Sequence, residues 1–224
     1  MDALASRLLR EFQIALDELI ERELLLDANP LSALETHSHT TLSWSSGAHL
    51  SYLFGEYQRI AQYQAILDSR DFSMCMFDGG LLQIRYDVAD EQVIQHRLSY
   101  FPCPFTFTDD ERQGFALSEL PLLYAADELR ARVKLTSAVR FDYDAESSDE
   151  RHAHSHMTFN KVTCRVPAYG PLSLGHFVRF VLRYFYEAEF TDLAAWEELQ
   201  PRLYYRTLPY PPPHEFHLDT AADY

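Results

Sequence analysis

Four stretches of this chain alternate apolar and polar residues one by one, and no other feature constrains its fold as tightly. Leu81–Val88 reads LLQIRYDV, with Leu82, Ile84, Tyr86 and Val88 on one parity. Val93–Phe101 reads VIQHRLSYF, with Ile94, His96, Leu98 and Tyr100 on one parity. Val139, Phe141 and Tyr143 alternate with Arg140, Asp142 and Asp144, and the same rhythm resumes in HSHMTFN from His154. A period of two belongs to strands whose alternate side chains point to opposite faces, one of them buried. The first two stretches predict a hairpin turning at Ala89-Asp90. Asn160-Lys161 is expected to turn the chain again before VTCRVP.

Two helices are expected to cover the apolar parity. In residues 4–26, Leu8, Phe12, Ala15, Leu16 and Leu19 fall at helical spacing, and Asn29-Pro30 closes the segment. In 173–187, Ser173 is the expected N-cap, and Phe177, Val181, Tyr184 and Phe185 are expected to face the core. Residues 40–45, YQAILD (63–68) and SMCMF (73–77) read as strands around a turn at Asp78-Gly79-Gly80. Residues 108–115 read as a loop or the start of a short helix, a short helix is expected within 120–132, and a further one around Trp196. The fold class is therefore α+β: an antiparallel, strongly twisted sheet (hairpin 81–101 and meander 133–167) packed on one face by helices 4–26 and 173–187. One domain is expected over 1–200, with a proline-rich tail over 201–224.

Composition narrows the chemistry. Hydrophobic residues make up 47% of the 224, enough for a substantial core. Only 7 glycines occur, and neither the P-loop nor the Rossmann pattern is present, which disfavours that nucleotide chemistry. A net charge of −15 disfavours non-specific binding to nucleic acid. The three cysteines, Cys75, Cys103 and Cys164, form neither a disulfide framework nor a zinc ribbon, which points to a reducing cytoplasm. The start of the chain lacks an apolar signal core, and Arg179 and Arg183 interrupt the greasiest segment, so no membrane association is expected. No serine lies in a nucleophile elbow, and no cysteine carries a catalytic signature.

The chemistry-bearing residues collect on the polar parity of the meander. His152, His154, His156 and Thr158 would share one side of a strand, opposite Ala153, Ser155, Met157 and Phe159. Arg140, Asp142 and Asp144 fall on the same side of the preceding strand, and Thr163 and Arg165 on that of the following one. Antiparallel pairing brings these sets within cross-strand reach, roughly 5–8 Å. Histidines two apart lie about 6.5–7 Å apart at Cα, so His154 and His156 with Asp142 or Asp144 are candidate ligands for zinc or manganese. Without a metal, His156 and His154 are candidate proton carriers, with Arg140 and Arg165 stabilising negative charge on a phosphate and Asp142 assisting. His96, on the apolar parity, reads as a core histidine.

The stretches RFDYD, HSHMTFN, CRVP and GPLSLGHFVRFVLRYFY, together with the run from YQAILDSRD to VIQHRLSYFPCPF, resemble a bacterial family called domain of unknown function 2290. The resemblance covers about residues 57–187. Ser155, His156, Asn160, Arg165 and Pro167 match its pattern of a serine–histidine pair, an asparagine and an arginine–x–proline. His152 and His154 are less clearly part of that pattern, and the tail lies outside it. The resemblance implies a bacterial intracellular protein and no reaction. Membership of accessory, phage-defence or toxin–antitoxin gene clusters is an association only. One expected function is thus docking on another protein, encoded nearby, with Tyr204, Tyr205 and Tyr210 of the tail as anchors. The other is phosphodiester hydrolysis at the His/Arg/Asp face. A structural subunit with a merely solvated polar face is the plainest reading.

Overall fold

The structure, a computed structural model, describes residues 2–44, 59–146, 154–159, 163–168 and 170–187. The expected turn at Asn160-Lys161, the helix around Trp196, the tail and His152 lie outside these residues. The described chain forms nine strands and five α-helices: α1 (Ala3–Glu21), β1 (Leu25–Ala28), β2 (Ser32–Glu35), β3 (Thr40–Ser43), α2 (Arg59–Ser69), β4 (Met74–Met76), β5 (Leu81–Ala89), β6 (Gln92–Phe101), α3 (Asp109–Gly114), α4 (Ala126–Ala131), β7 (Val139–Asp144), β8 (Ser155–Phe159), β9 (Arg165–Pro167) and α5 (Leu174–Phe185). A 3-10 turn (Leu120–Leu123) precedes α4. All pairings in the sheet are antiparallel, in the order β1-β4-β5-β6-β7-β8-β9. β3 takes the rest of the β5 edge and pairs outward with β2. The fold is α+β as expected. Among the described residues, no helix is long and apolar enough to cross a membrane.

The apolar parities meet as foreseen. Leu82, Ile84, Tyr86 and Val88 of β5, Leu98 and Tyr100 of β6, and Val139, Phe141 and Tyr143 of β7 are buried with Leu8, Phe12 and Leu19 of α1 and Phe177, Val178 and Val181 of α5. Each such side chain contributes about 1.5–3 kcal/mol when fully removed from water. Ser173 caps α5, its side chain accepting the His176 amide. A second, smaller core lies on the opposite face at one end, where Tyr63, Ile66 and Leu67 of α2 and Phe105, Phe107 and Leu120 cover Leu81 and Phe101. The sheet is therefore covered on one face and partly on the other.

Several boundaries differ from expectation, each for a local reason. Helix α1 ends at Glu21, not 26: Glu23 adopts φ 58°, and the Leu24 and Glu23 amides donate to Leu19 and Ile20 carbonyls at 2.9 and 3.0 Å, a Schellman stop. The chain then continues as β1, zipped to β4. YQAILD is helical, because Tyr63, Ile66 and Leu67 repeat at three and four rather than at two. The meander begins at Val139; before it, only Val133 makes a bridge, to Phe105. A bulge between Asp87 and Val88 pairs Val88 with Val93, so Val93 takes the core position and Ile94 is only half buried. The hairpin turns at Asp90-Glu91, both with positive φ, one residue beyond the expected site. Tyr184 is 64% exposed and Phe185 38%, whereas Tyr186, where α5 ends, is buried.

Candidate functional site

Register converts the polar parity into two rows across the sheet. In the first, Gln83, Ser99, Arg140, Thr158 and Arg165 stand opposite one another in turn, from β5 through β9. In the second, Arg85, Arg97, Asp142 and His156 do the same from β5 through β8. Neither row was contiguous in sequence; the antiparallel pairing of β6 with β7 assembles both.

Asp142 is the hub. Arg140 Nε donates to its Oδ2 at 2.5 Å, Arg97 Nε donates to its Oδ1 at 2.9 Å, and His156 Nε2 lies 3.6 Å from Oδ2. Burial pushes the Asp142 carboxyl up, but the neighbouring Arg140 and Arg97 guanidiniums prevail and hold it below the usual carboxylate range. It stays an anion beside the imidazole of His156. Arg140 and Asp142 are buried, yet the side chain of Arg97 remains 33% exposed, so the cluster connects to solvent at one end.

The first row carries an unusual load. Gln83, Ser99 and Thr158 are fully buried, and Gln83 Oε1, Ser99 Oγ and Thr158 Oγ1 have no hydrogen-bond partner in the structure. Buried polar atoms are paired with protein, ordered water or ligand in almost all native folds. Ser99 and Thr158 flank Arg140 on the adjacent strands, and Gln83 stands one strand beyond Ser99, so hydroxyl groups with hydrogen-bonding capacity to spare lie on both sides of the guanidinium.

The structure thus brings Arg140, Asp142 and His156 together. It sets Arg165 one strand further out, exposed and opposite Thr158. His154 engages elsewhere: its Nδ1 lies 3.1 Å from the Asp144 backbone oxygen, and Asp144 accepts from Gln95 at 3.3 Å. Among the described residues, no three His, Cys, Asp or Glu side chains group to hold a metal ion. Arg97 and Arg85 were missed at the sequence level. Their parity was legible, but the register joining the hairpin to the meander was not. Of the matched family pattern, Ser155 faces the other way, its Oγ donating to the Gly170 carbonyl at 2.6 Å, while Pro167 lies opposite His156. Asn160 lies outside the described residues.

His96 sits on the apolar face, as expected. Its Nε2 accepts the Leu172 amide at 2.9 Å, and Tyr86 Oη donates to the Leu172 carbonyl at 2.8 Å, so both fasten the chain just before α5. Burial lowers its pKa to about 4.

Fold and site together define an α+β protein whose antiparallel sheet carries a recessed arginine–histidine–aspartate cluster. A family model described as "Uncharacterized conserved protein (DUF2290)" matches residues 25–219, and the chain belongs to that family. The match is wider than the 57–187 expected and includes most of the proline-rich tail, while α1 precedes it. No curated protein and no solved structure matches the chain.

Proposed function

We propose that this protein binds and hydrolyses a phosphodiester at the polar face of the meander, with His156 as the proton carrier. The observation that carries the reading is a concentration of positive charge where the chain as a whole has the opposite sign. On the described strands β5 to β9, Arg85, Arg97, Arg140 and Arg165 share a face with Asp87, Asp142 and Asp144, which leaves that face net positive in a protein of net charge −15. Guanidiniums match phosphoryl oxygens in planar, bidentate geometry. In the proposed step a water oxygen bonds to phosphorus, His156 takes the water proton, and the ester P–O bond breaks, its oxygen taking a proton from solvent. Arg140 and Arg97 balance the charge that grows on the phosphoryl oxygens, and Asp142 keeps the imidazole oriented.

A docking role on another protein draws on a different region. Phe115, Leu122 and Leu135 are large, apolar and exposed on the excursion between β6 and β7, Leu122 at 82%. One substitution separates the readings. His156→Ala is expected to lower kcat/KM on bis-p-nitrophenyl phosphate by at least about a hundredfold while the melting temperature holds. Full activity in a folded His156→Ala protein removes the assignment to His156, and no activity in the unaltered protein removes the hydrolase reading. A partner captured equally well by both proteins then supports docking.

A further inference from the structure

Thr158 stands on β8 between two arginines, directly opposite Arg140 on β7 and Arg165 on β9. It is fully buried, and its Oγ1 has no hydrogen-bond partner among the described residues. A hydroxyl offers one proton and two lone pairs, whereas a guanidinium only donates. Along the row, then, the Thr158 proton meets no acceptor. The Asp142 carboxylate, diagonal to Thr158 across β7 and β8, already accepts from Arg97 through Oδ1 and from Arg140 through Oδ2. A buried polar group left without a partner costs stability, so the fold tolerates this hydroxyl rather than profits from it.

The other open atoms of the row are placed differently. Gln83 Nε2 donates to the Asp71 carbonyl at 2.5 Å, which fixes the amide and leaves Oε1 as an acceptor. Ser99, a donor, stands directly opposite Gln83, and turning one side chain closes that pair within the row. Thr158 has a cation on each side instead. Burial pulls the Arg140 guanidinium below its usual range, Asp142 raises it, and the charges of Arg97 and Arg165 lower it. Water is a poor occupant above Thr158, since it brings two protons to a place already lined with donors. A negatively charged oxygen that only accepts serves the hydroxyl and both guanidiniums at once. Arg165 is exposed on β9, the outermost strand of the described sheet on that side, so a ligand arrives from there and finds Thr158 as its floor. His156 lies two residues back on the same strand and face, about 6.5–7 Å away at Cα.

We infer that Thr158 is the phosphate-binding hydroxyl of this face: its Oγ1 donates to a phosphoryl oxygen that Arg140 and Arg165 flank. The phosphorus then sits over β7, β8 and β9 at the outer end of the first row, with the proposed proton carrier His156 beside it. The inference rests on the phosphate-binding reading above. Thr158 holds the ligand and takes part in no bond that forms or breaks.

The test is calorimetric titration of the full chain with inorganic phosphate and with dimethyl phosphate, read beside the melting temperature of the unliganded protein. Thr158→Val keeps the side-chain shape and removes the hydroxyl. It is expected to weaken both ligands about tenfold, the worth of one hydrogen bond to a charged group, while the melting temperature holds or rises because an unpartnered polar group is gone. Thr158→Ser restores the hydroxyl and is expected to bind within about threefold of the unaltered protein. Arg165→Gln changes only an exposed side chain, so it folds, and it is expected to weaken both ligands about tenfold. Undiminished affinity in a folded Thr158→Val or in the Arg165→Gln protein overturns the seat and leaves the phosphate-binding reading of the face standing. Binding by Thr158→Ser as weak as by Thr158→Val overturns it too, since the hydroxyl is then not the donor. If neither ligand binds the unaltered protein, the phosphate-binding reading fails and the seat fails with it.

Discussion

Two histidines placed two strands apart in one sheet live under opposite rules. His96 points into the face beneath α1 and α5, between Tyr86 and Tyr143, with ring centroids at 5.6 and 5.8 Å, and its work is to hold a backbone amide. His156 points to the other face, against a carboxylate that two arginines already grip. The first environment removes charge; the second collects it and leaves buried oxygens without partners. One side of this sheet is packed along its length, while the other is packed only at one end and carries the charged cluster beyond it. The difference teaches that the informative contrast is between faces rather than between residue types, since both faces contain histidine, hydroxyls and aromatic neighbours.

The sharpest way to break the apolar face is to hollow it. Phe177 is fully buried on α5, edge-on to Phe141 at 6.2 Å between centroids. Phe177→Ala removes that packing and leaves a cavity, with an expected loss of about 4 kcal/mol in urea-monitored unfolding. Asp142→Asn strikes the polar face instead. It leaves Arg140 buried and Arg97 partly buried without the anion that neutralises them, and the expected loss is about 3 kcal/mol, the low end for a broken buried pair because Arg97 reaches solvent. Replacing both Arg140 and Asp142 by apolar residues of similar size is expected to recover part of that loss, which no cavity explanation would allow. A loss from Asp142→Asn below about 0.5 kcal/mol would place the cluster among ordinary surface pairs.

The two faces were legible in the sequence to different depths. β5, β6 and β7 were readable because one parity is apolar at almost every step, and burial enforces that rhythm. The helix α5 was readable from Ser173 and the apolar spacing that follows it. β2 was not, since all four of its residues are exposed and nothing imposes alternation on them. YQAILD was misread because a short apolar run fits either period, and only its packing on Phe101 and Phe105 decides for the helix. At the site, Arg140, Asp142 and His156 shared a recognisable parity within one meander. Arg85 and Arg97 joined them through a pairing 45 residues apart, Arg97 with Asp142, and long-range register leaves no local trace. The bulge at Ile94 shows the same limit from the other side: one extra residue moved a leading apolar residue off the face its parity assigned.

Acid sharpens the comparison because it addresses the buried histidine before the carboxylates. His96 is folded in its neutral form, with its pKa lowered by burial to about 4, while an unfolded chain offers it the ordinary value near 6.5. Between those values the unfolded chain takes up a proton that the folded one refuses, so stability is complete above about pH 6.5 and declines as pH falls towards 4. From pH 7 to pH 5 the expected decline is about 2 kcal/mol, read from urea midpoints at constant slope. Asp142 contributes nothing over that interval, because its carboxyl, held below the ordinary range, is already ionised in both states. His96→Leu keeps the volume close, abandons the Leu172 amide and cannot take the proton. It is expected to be less stable at pH 7 and to lose most of the slope between pH 7 and 5. An unchanged slope in that variant would move the acid sensitivity away from the apolar face and on to the histidines of the other one.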